Sequence, residues 1–229
     1  MSFPDYLPLR QKIVKTARTL IERNAISPAH LSNISIRTPE GDMMLLTSGG
    51  WITDMTTDDI ALVGFDSTVR AGQLPGGTFE IVEMHSKVYE KRPDIGAIIH
   101  THSPYATAFA IANKPIPCVY EAMARFDMHD GIPVAPYAPR GSKESVGNIL
   151  GVIGEKTRCV LLQNHGILAF GETIEIATMM ALILEEAAHM ALLAESLGGA
   201  TVIPEDQAFY ALQRTRQYAD MVVTPADGK

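Results

Sequence analysis

Ile95-Gly96-Ala97-Ile98-Ile99-His100-Thr101-His102-Ser103-Pro104 joins an unbroken apolar run to two histidines and a proline able to start a helix. Ala97 to Thr101 reads as a buried strand, and Pro104 opens a helix that continues through the apolar Tyr105 to Ala112. Residues two apart on a strand project to the same face, so the imidazoles of His100 and His102 can converge on one ion. Two histidines alone do not fill a tetrahedral site, and a pair of core or surface histidines gives the same letters.

Working outward, apolar residues at Leu7, Ile13, Val14, Ala17, Leu20 and Ile21 recur at helical spacing and predict a helix over 5–23, stopped by Asn24 and Pro28. Ile34 and Ile36, then Met43 to Thr47 across the turn Pro39-Glu40-Gly41-Asp42, predict a hairpin broken by Ser48-Gly49-Gly50. A further strand is expected over 60–65 and a helix over 80–91, which Arg92-Pro93-Asp94 ends. Then come a strand at 132–135, a helix at 142–153, a strand at 158–162 and a long helix from Thr173 to about Leu197, closed by Gly198-Gly199. That last helix is apolar on nearly every face, so it is central to the core or covered by another subunit. Alternating strands and helices without repeats or a linker favour one α/β or α+β domain over 1–224, with a disordered tail at 225–229.

Composition narrows the function classes. The chain has 229 residues, 46% hydrophobic and 20% charged. At that length folding buries roughly 70–75% of the unfolded surface, so the core needs neither disulfides nor a structural metal. A metal, if bound, serves chemistry. A formal charge of −7 without clustered Lys or Arg argues against nucleic acid and polybasic membrane partners. Cys118 and Cys159 form no CxxC pair, and Met-Ser-Phe-Pro-Asp-Tyr has no secretory pattern. The apolar segment Ile174 to Leu184, interrupted by Glu175 and closed by Glu185-Glu186, is short of the roughly 20 residues that span a bilayer. A soluble, cytoplasmic protein is expected.

A third histidine, His165 in Gln163-Asn164-His165-Gly166, follows a strand at a polar turn, where functional side chains commonly project. Glu80 and Glu83 are the nearest upstream carboxylates. Three nitrogens and one oxygen form a divalent-metal set that suits zinc and also accepts manganese, iron or cobalt. His85 and Glu83 read as surface or supporting groups, Tyr137 and Arg140 as structural, and His30, His129 and His189 carry no assigned role.

In this combination the sequence resembles the class II aldolase and epimerase family, which includes fuculose- and rhamnulose-phosphate aldolases, ribulose-phosphate 4-epimerase and the adducin head domain. The resemblance rests on Ser32-Asn33-Ile34-Ser35-Ile36-Arg37, Leu46-Thr47-Ser48-Gly49-Gly50, Phe79-Glu80 through His85 and Tyr89 to Arg92-Pro93-Asp94, Ile99-His100-Thr101-His102-Ser103, Ala135-Pro136-Tyr137 and Gln163-Asn164-His165-Gly166. These run in family order over about residues 8–200. The resemblance implies a three-layer α/β/α domain with a central, mainly antiparallel sheet, assembled as a homotetramer with active sites between subunits.

It further implies that His100, His102 and His165 hold the metal and that Glu80 ligates the resting ion and acts as acid and base. Glu80 precedes His100 by one residue more than the family spacing, and Glu83 is the fallback. A phosphate pocket would draw on Asn33, Thr47, Ser48, Gly49, Gly50 and Thr78, turn amides of this kind binding anions without formal charge. The family's paired hydroxyls read Thr78-Phe79 here, which removes one donor and puts a phosphorylated substrate in doubt. A tyrosine supplied by the neighbouring subunit would serve the leaving aldehyde. Tyr120 is offset by one from its position, and Glu121 stands nearest to it. The implied activity is reversible cleavage of a small hydroxy-ketone or ketose phosphate through a metal-stabilised enediolate. Sugar-phosphate 4-epimerisation and 3-oxo-acid decarboxylation need the same enolate, and a non-catalytic binding domain is the rival from another class.

Overall fold

A computed structural model describes residues 5–219. In chain order the elements are α1 (Leu7–Glu22), β1 (Ser32–Arg37), β2 (Met43–Thr47), β3 (Ile60–Gly64), β4 (Val69–Ala71), α2 (Phe79–Lys91), β5 (Ala97–Thr101), α3 (Pro104–Ile111), α4 (Glu121–Arg125), β6 (Val134–Ala135), α5 (Lys143–Val152), β7 (Cys159–Leu162), β8 (Gly166–Gly171), α6 (Ile174–Glu195) and α7 (Glu205–Tyr218). The tail expected at 225–229 lies outside the described residues.

The eight strands form one sheet in the order β4-β3-β2-β1-β5-β8-β7-β6. Every neighbouring pair is antiparallel except β6 with β7. Side-chain alternation divides the core in two. Ile34, Leu45, Leu62, Ile99, Leu161 and Ala169 face one side and pack with α1, α3, α4, α6 and α7. Met44, Leu46, Val63, Ile98, Val160 and Phe170 face the other and pack with α2 and α5. Both faces of the sheet are therefore apolar and covered, the condition for a three-layer α/β/α sandwich.

The hairpin turn falls where Pro39–Asp42 placed it, with Gly41 at φ 88 and Ser35 paired to Leu46. The sequence reading missed β8, a six-residue stretch buried throughout that sits between β5 and β7. It also missed β4, α4 and α7. The apolar stretch thought to end before Glu185 continues, and α6 runs 22 residues, long and apolar enough by composition to cross a membrane. Instead its buried face packs on β8, β5 and α3, which makes it a core helix.

Glu185 explains why α6 tolerates a carboxylate there. The Tyr105 and Ala106 amides donate to Glu185 Oε1 and Oε2, each at 2.9 Å. Pro104 has no N–H, so these are the first two amides α3 leaves without an intrahelical partner. Burial raises the Glu185 carboxyl above its usual range, and the two amides oppose that shift. Glu185→Ala leaves both amides without their partner, the Ala106 amide buried and the Tyr105 amide partly so. It should cost about 1–3 kcal/mol, read as a lower urea midpoint at unchanged slope.

Candidate metal centre

β5 lies between β1 and β8, with His100 opposite Asn33 on one side and Leu168 on the other. His100 is 3% exposed. Its Nδ1 lies 2.8 Å from the Ile167 carbonyl, which can only accept, so Nδ1 carries the proton and Nε2 is left with a lone pair. His102 follows the strand end, and its Nε2 is buried with no hydrogen-bond partner. His165 stands in the β7–β8 turn, where Asn164 takes φ 58 and the His165 amide donates to the Leu162 carbonyl at 3.0 Å. Gly166 begins β8 beneath the cluster. A Cβ there would collide with the Thr101 carbonyl and come within 2.8 Å of His102 Cδ2, so only glycine lets β8 come this near.

The three ring centroids are 4.7–5.2 Å apart, and one ring nitrogen from each histidine lies within 4.8 Å of the other two. Burial is the main cause holding all three imidazoles below their usual pKa, His165 at about 4. The other rings add to this for His100 and His165, and Arg140 adds to it for His102 and His165. Three neutral imidazoles, one of them with an orphaned buried nitrogen, fit a divalent cation.

The cluster opens into a cavity of about 670 Å³. Glu80, in the first turn of α2, lines this cavity but stands outside the histidine cluster. Its Oε2 is 2.8 Å from Arg140 Nε, and Arg140 Nη2 donates to the Gly77 carbonyl at 2.9 Å. Arg140 and Tyr137, read from sequence as structural, both line the cavity. Glu83 does not.

Asn33, Gly49, Gly50 and Thr78 reach the cavity wall. Thr47 and Ser48 do not: Thr47 is fully buried and its Oγ1 accepts from the Ile34 amide, while the Ser48 carbonyl accepts from Thr78 Oγ1. They shape the turn from behind. Phe79 points outward, 46% exposed, and is not part of the wall. Tyr120 packs on the α1/α6 face of the sheet, and Glu121 is exposed beside Arg125 and Tyr210. The histidines project from the opposite side, so one chain does not bring Tyr120 or Glu121 to them.

His85, read from sequence as a surface or supporting group, is a supporting one: it holds Asn33 from behind. It is fully buried, with Nε2 2.7 Å from Asn33 Oδ1 and Nδ1 2.7 Å from Ser35 Oγ, which also meets Tyr89 Oη at 2.7 Å. Because Asn33 Oδ1 only accepts, His85 Nε2 donates to it. Ser35 then donates to Nδ1, and Tyr89 donates to Ser35. The relay fixes the Asn33 side chain at the cavity wall. The available signal was the spacing Ile81, His85, Val88 on the buried face of α2.

Burial holds His85 at about 3 and His165 at about 4. The unfolded histidines protonate near pH 6.5. Below that pH the unfolded chain binds more protons than the folded one, so stability falls as pH drops from 6.5 toward 4, by roughly 1.4 kcal/mol per unit for each such histidine. Urea midpoints of metal-free protein should drop between pH 7.5 and 5, and equal midpoints would contradict this account.

The sequence matches the family described as the class II aldolase and adducin N-terminal domain over residues 11–192. A 5-methylthioribulose-1-phosphate/5-deoxyribulose-1-phosphate aldolase of Rhodospirillum rubrum is 26% identical over 220 residues, 96% of each chain. A protein of the same name from Escherichia coli is 33% identical over 171 residues, 75% of this chain and 77% of the relative. A solved L-fuculose 1-phosphate aldolase is similar with a TM-score of 0.80 at 28% identity, over 94% of this chain and 98% of its own. The match runs from α1 into α6 and takes in all three histidines, and the chain belongs to the class II aldolase and adducin N-terminal domain family.

Proposed function

We propose that the protein is a zinc-dependent aldolase that reversibly cleaves a small ketose phosphate into a carbonyl fragment and an aldehyde. The observation that carries this reading is the three-histidine cluster, with its orphaned His102 nitrogen, at the wall of a cavity whose one carboxylate side chain, among the described residues, is Glu80. A divalent ion held by His100, His102 and His165 supplies Lewis-acid stabilisation of the charge left when a bond beside a carbonyl breaks.

The chain's own residues do the rest. Glu80 takes the substrate's hydroxyl proton as the bond cleaves and later returns one to carbon. Asn33, fixed by His85, offers its amide N–H to a substrate oxygen. The amides of Gly49 and Gly50, with Thr78 and the start of α2, face the phosphate. The phosphate itself is supported by the names of the relatives and by Phe79 lying off the cavity wall. Tyr120 or Glu121 of an adjacent copy acts as acid toward the aldehyde in the homotetramer we propose, which the exposed Met190, Leu193, Leu197 and Tyr210 on and after α6 support. The buried free thiols Cys118 and Cys159 support a reducing compartment, and the cytoplasm is the one we propose.

Zinc-loaded protein incubated with ketose 1-phosphates should yield two fragments by mass spectrometry. Chelation, or His102→Ala with loss of bound zinc, should lower turnover more than about a hundredfold. An isomer or loss of carbon dioxide as the product, or full turnover in verified metal-free protein, would overturn the reading.

A further inference from the structure

Arg140 is the only lysine or arginine lining the cavity among the described residues, and it is spent on Glu80. Both side chains are half exposed, Arg140 at 55% and Glu80 at 44%, where an ion pair contributes little and a better anion displaces the carboxylate readily. The guanidinium also donates to the Gly77 carbonyl, which places it at the turn leading into α2, beside Thr78. Gly141, at φ +78, leaves the space that Glu80 fills, since a Cβ there would come within 2.6–2.7 Å of its Cγ, Cδ and Oε1.

We propose that Arg140 is the specificity-determining residue for the substrate's anionic group: the phosphate of the ketose takes the guanidinium, and Glu80 is released to act as base. The inference rests on the aldolase reading above. A phosphate brings more charge than a carboxylate and three acceptor oxygens to a planar fork of donors, so the exchange favours the substrate. Arg140 thereby adds a charged donor to a wall that otherwise offers turn amides and neutral side chains. It also ties release of the base to occupancy by the correct substrate, because a neutral ketose leaves Glu80 on Arg140.

The test compares wild type, Arg140→Gln and Arg140→Lys, each loaded with zinc. For Arg140→Gln we expect KM for a ketose 1-phosphate to rise about tenfold to a hundredfold, and kcat/KM for the phosphate ester relative to the unphosphorylated ketose to fall by a similar factor. Calorimetric titration with inorganic phosphate should show the same loss of affinity, with Arg140→Lys recovering part of it as a point charge without the fork. An unchanged selectivity ratio with unchanged phosphate affinity would overturn the proposal, as would equal losses on both ketoses, the mark of a purely structural role. If wild type cleaves no ketose phosphate, the aldolase reading fails, while the phosphate titration still decides the role of Arg140.

Discussion

The pairing of β8 against β5 is the constraint from which the site follows. β8 returns antiparallel, so the turn that precedes it comes back to the end of β5, and His165 arrives beside His100 and His102. The same pairing brings the Ile167 carbonyl within 2.8 Å of His100 Nδ1 and leaves the opposite nitrogen available. Gly166 is the condition for both, since any side chain at that position would push the strand off the Thr101 carbonyl. A histidine cluster built this way is anchored to the sheet through His100, with His102 just past the end of the same strand and His165 in the turn that the β7–β8 pairing fixes beside it.

Around that frame the cavity is organised so that charge is scarce. The histidines are held neutral by burial, and Asn33 is oriented by a relay of Tyr89, Ser35 and His85 that carries no net charge. A fully paired neutral relay of this kind is rigid without the desolvation cost of a buried ion pair. The one ion pair in the cavity among the described residues, Glu80 with Arg140, stands where solvent still reaches it. The buried parts are neutral, and the charged pair is the part that solvent reaches.

The legibility of the sequence followed the range of the signal. His100 and His102 were readable because a strand's two-residue period is local, and the β1–β2 hairpin because Pro39–Asp42 is a turn by composition. β8 was not, because Gly166-Ile167-Leu168-Ala169-Phe170-Gly171 is apolar on both faces, shows no alternation and is bounded by glycines that read as loop. α7 has a modest apolar face carried by Ala208 and Leu212, too little to stand out. Arg140 and His85 depend on contacts between residues far apart in the chain: a loop after β6 meets the start of α2, and a buried helix face meets β1. Thr47 was placed in the right turn but on the wrong side of it, because its hydroxyl was taken by the neighbouring strand's amide.

A formal charge of −7 would be thought to repel a phosphorylated sugar. At physiological ionic strength the screening length is about 8 Å, so the bulk of that charge is invisible inside the cavity, and only groups within a few ångströms matter. There the one carboxylate among the described residues is masked by Arg140, and the remaining wall offers turn amides, neutral imidazoles and Asn33. The cavity is therefore locally receptive to an anion within an acidic protein. Releasing Glu80 beside a phosphate would ordinarily set two anions against each other. Were the guanidinium taken by the phosphate and a cation held by the three histidines, as proposed above, each negative group would have a separate positive partner, the arrangement that would let a carboxylate act as base in the presence of its own anionic substrate.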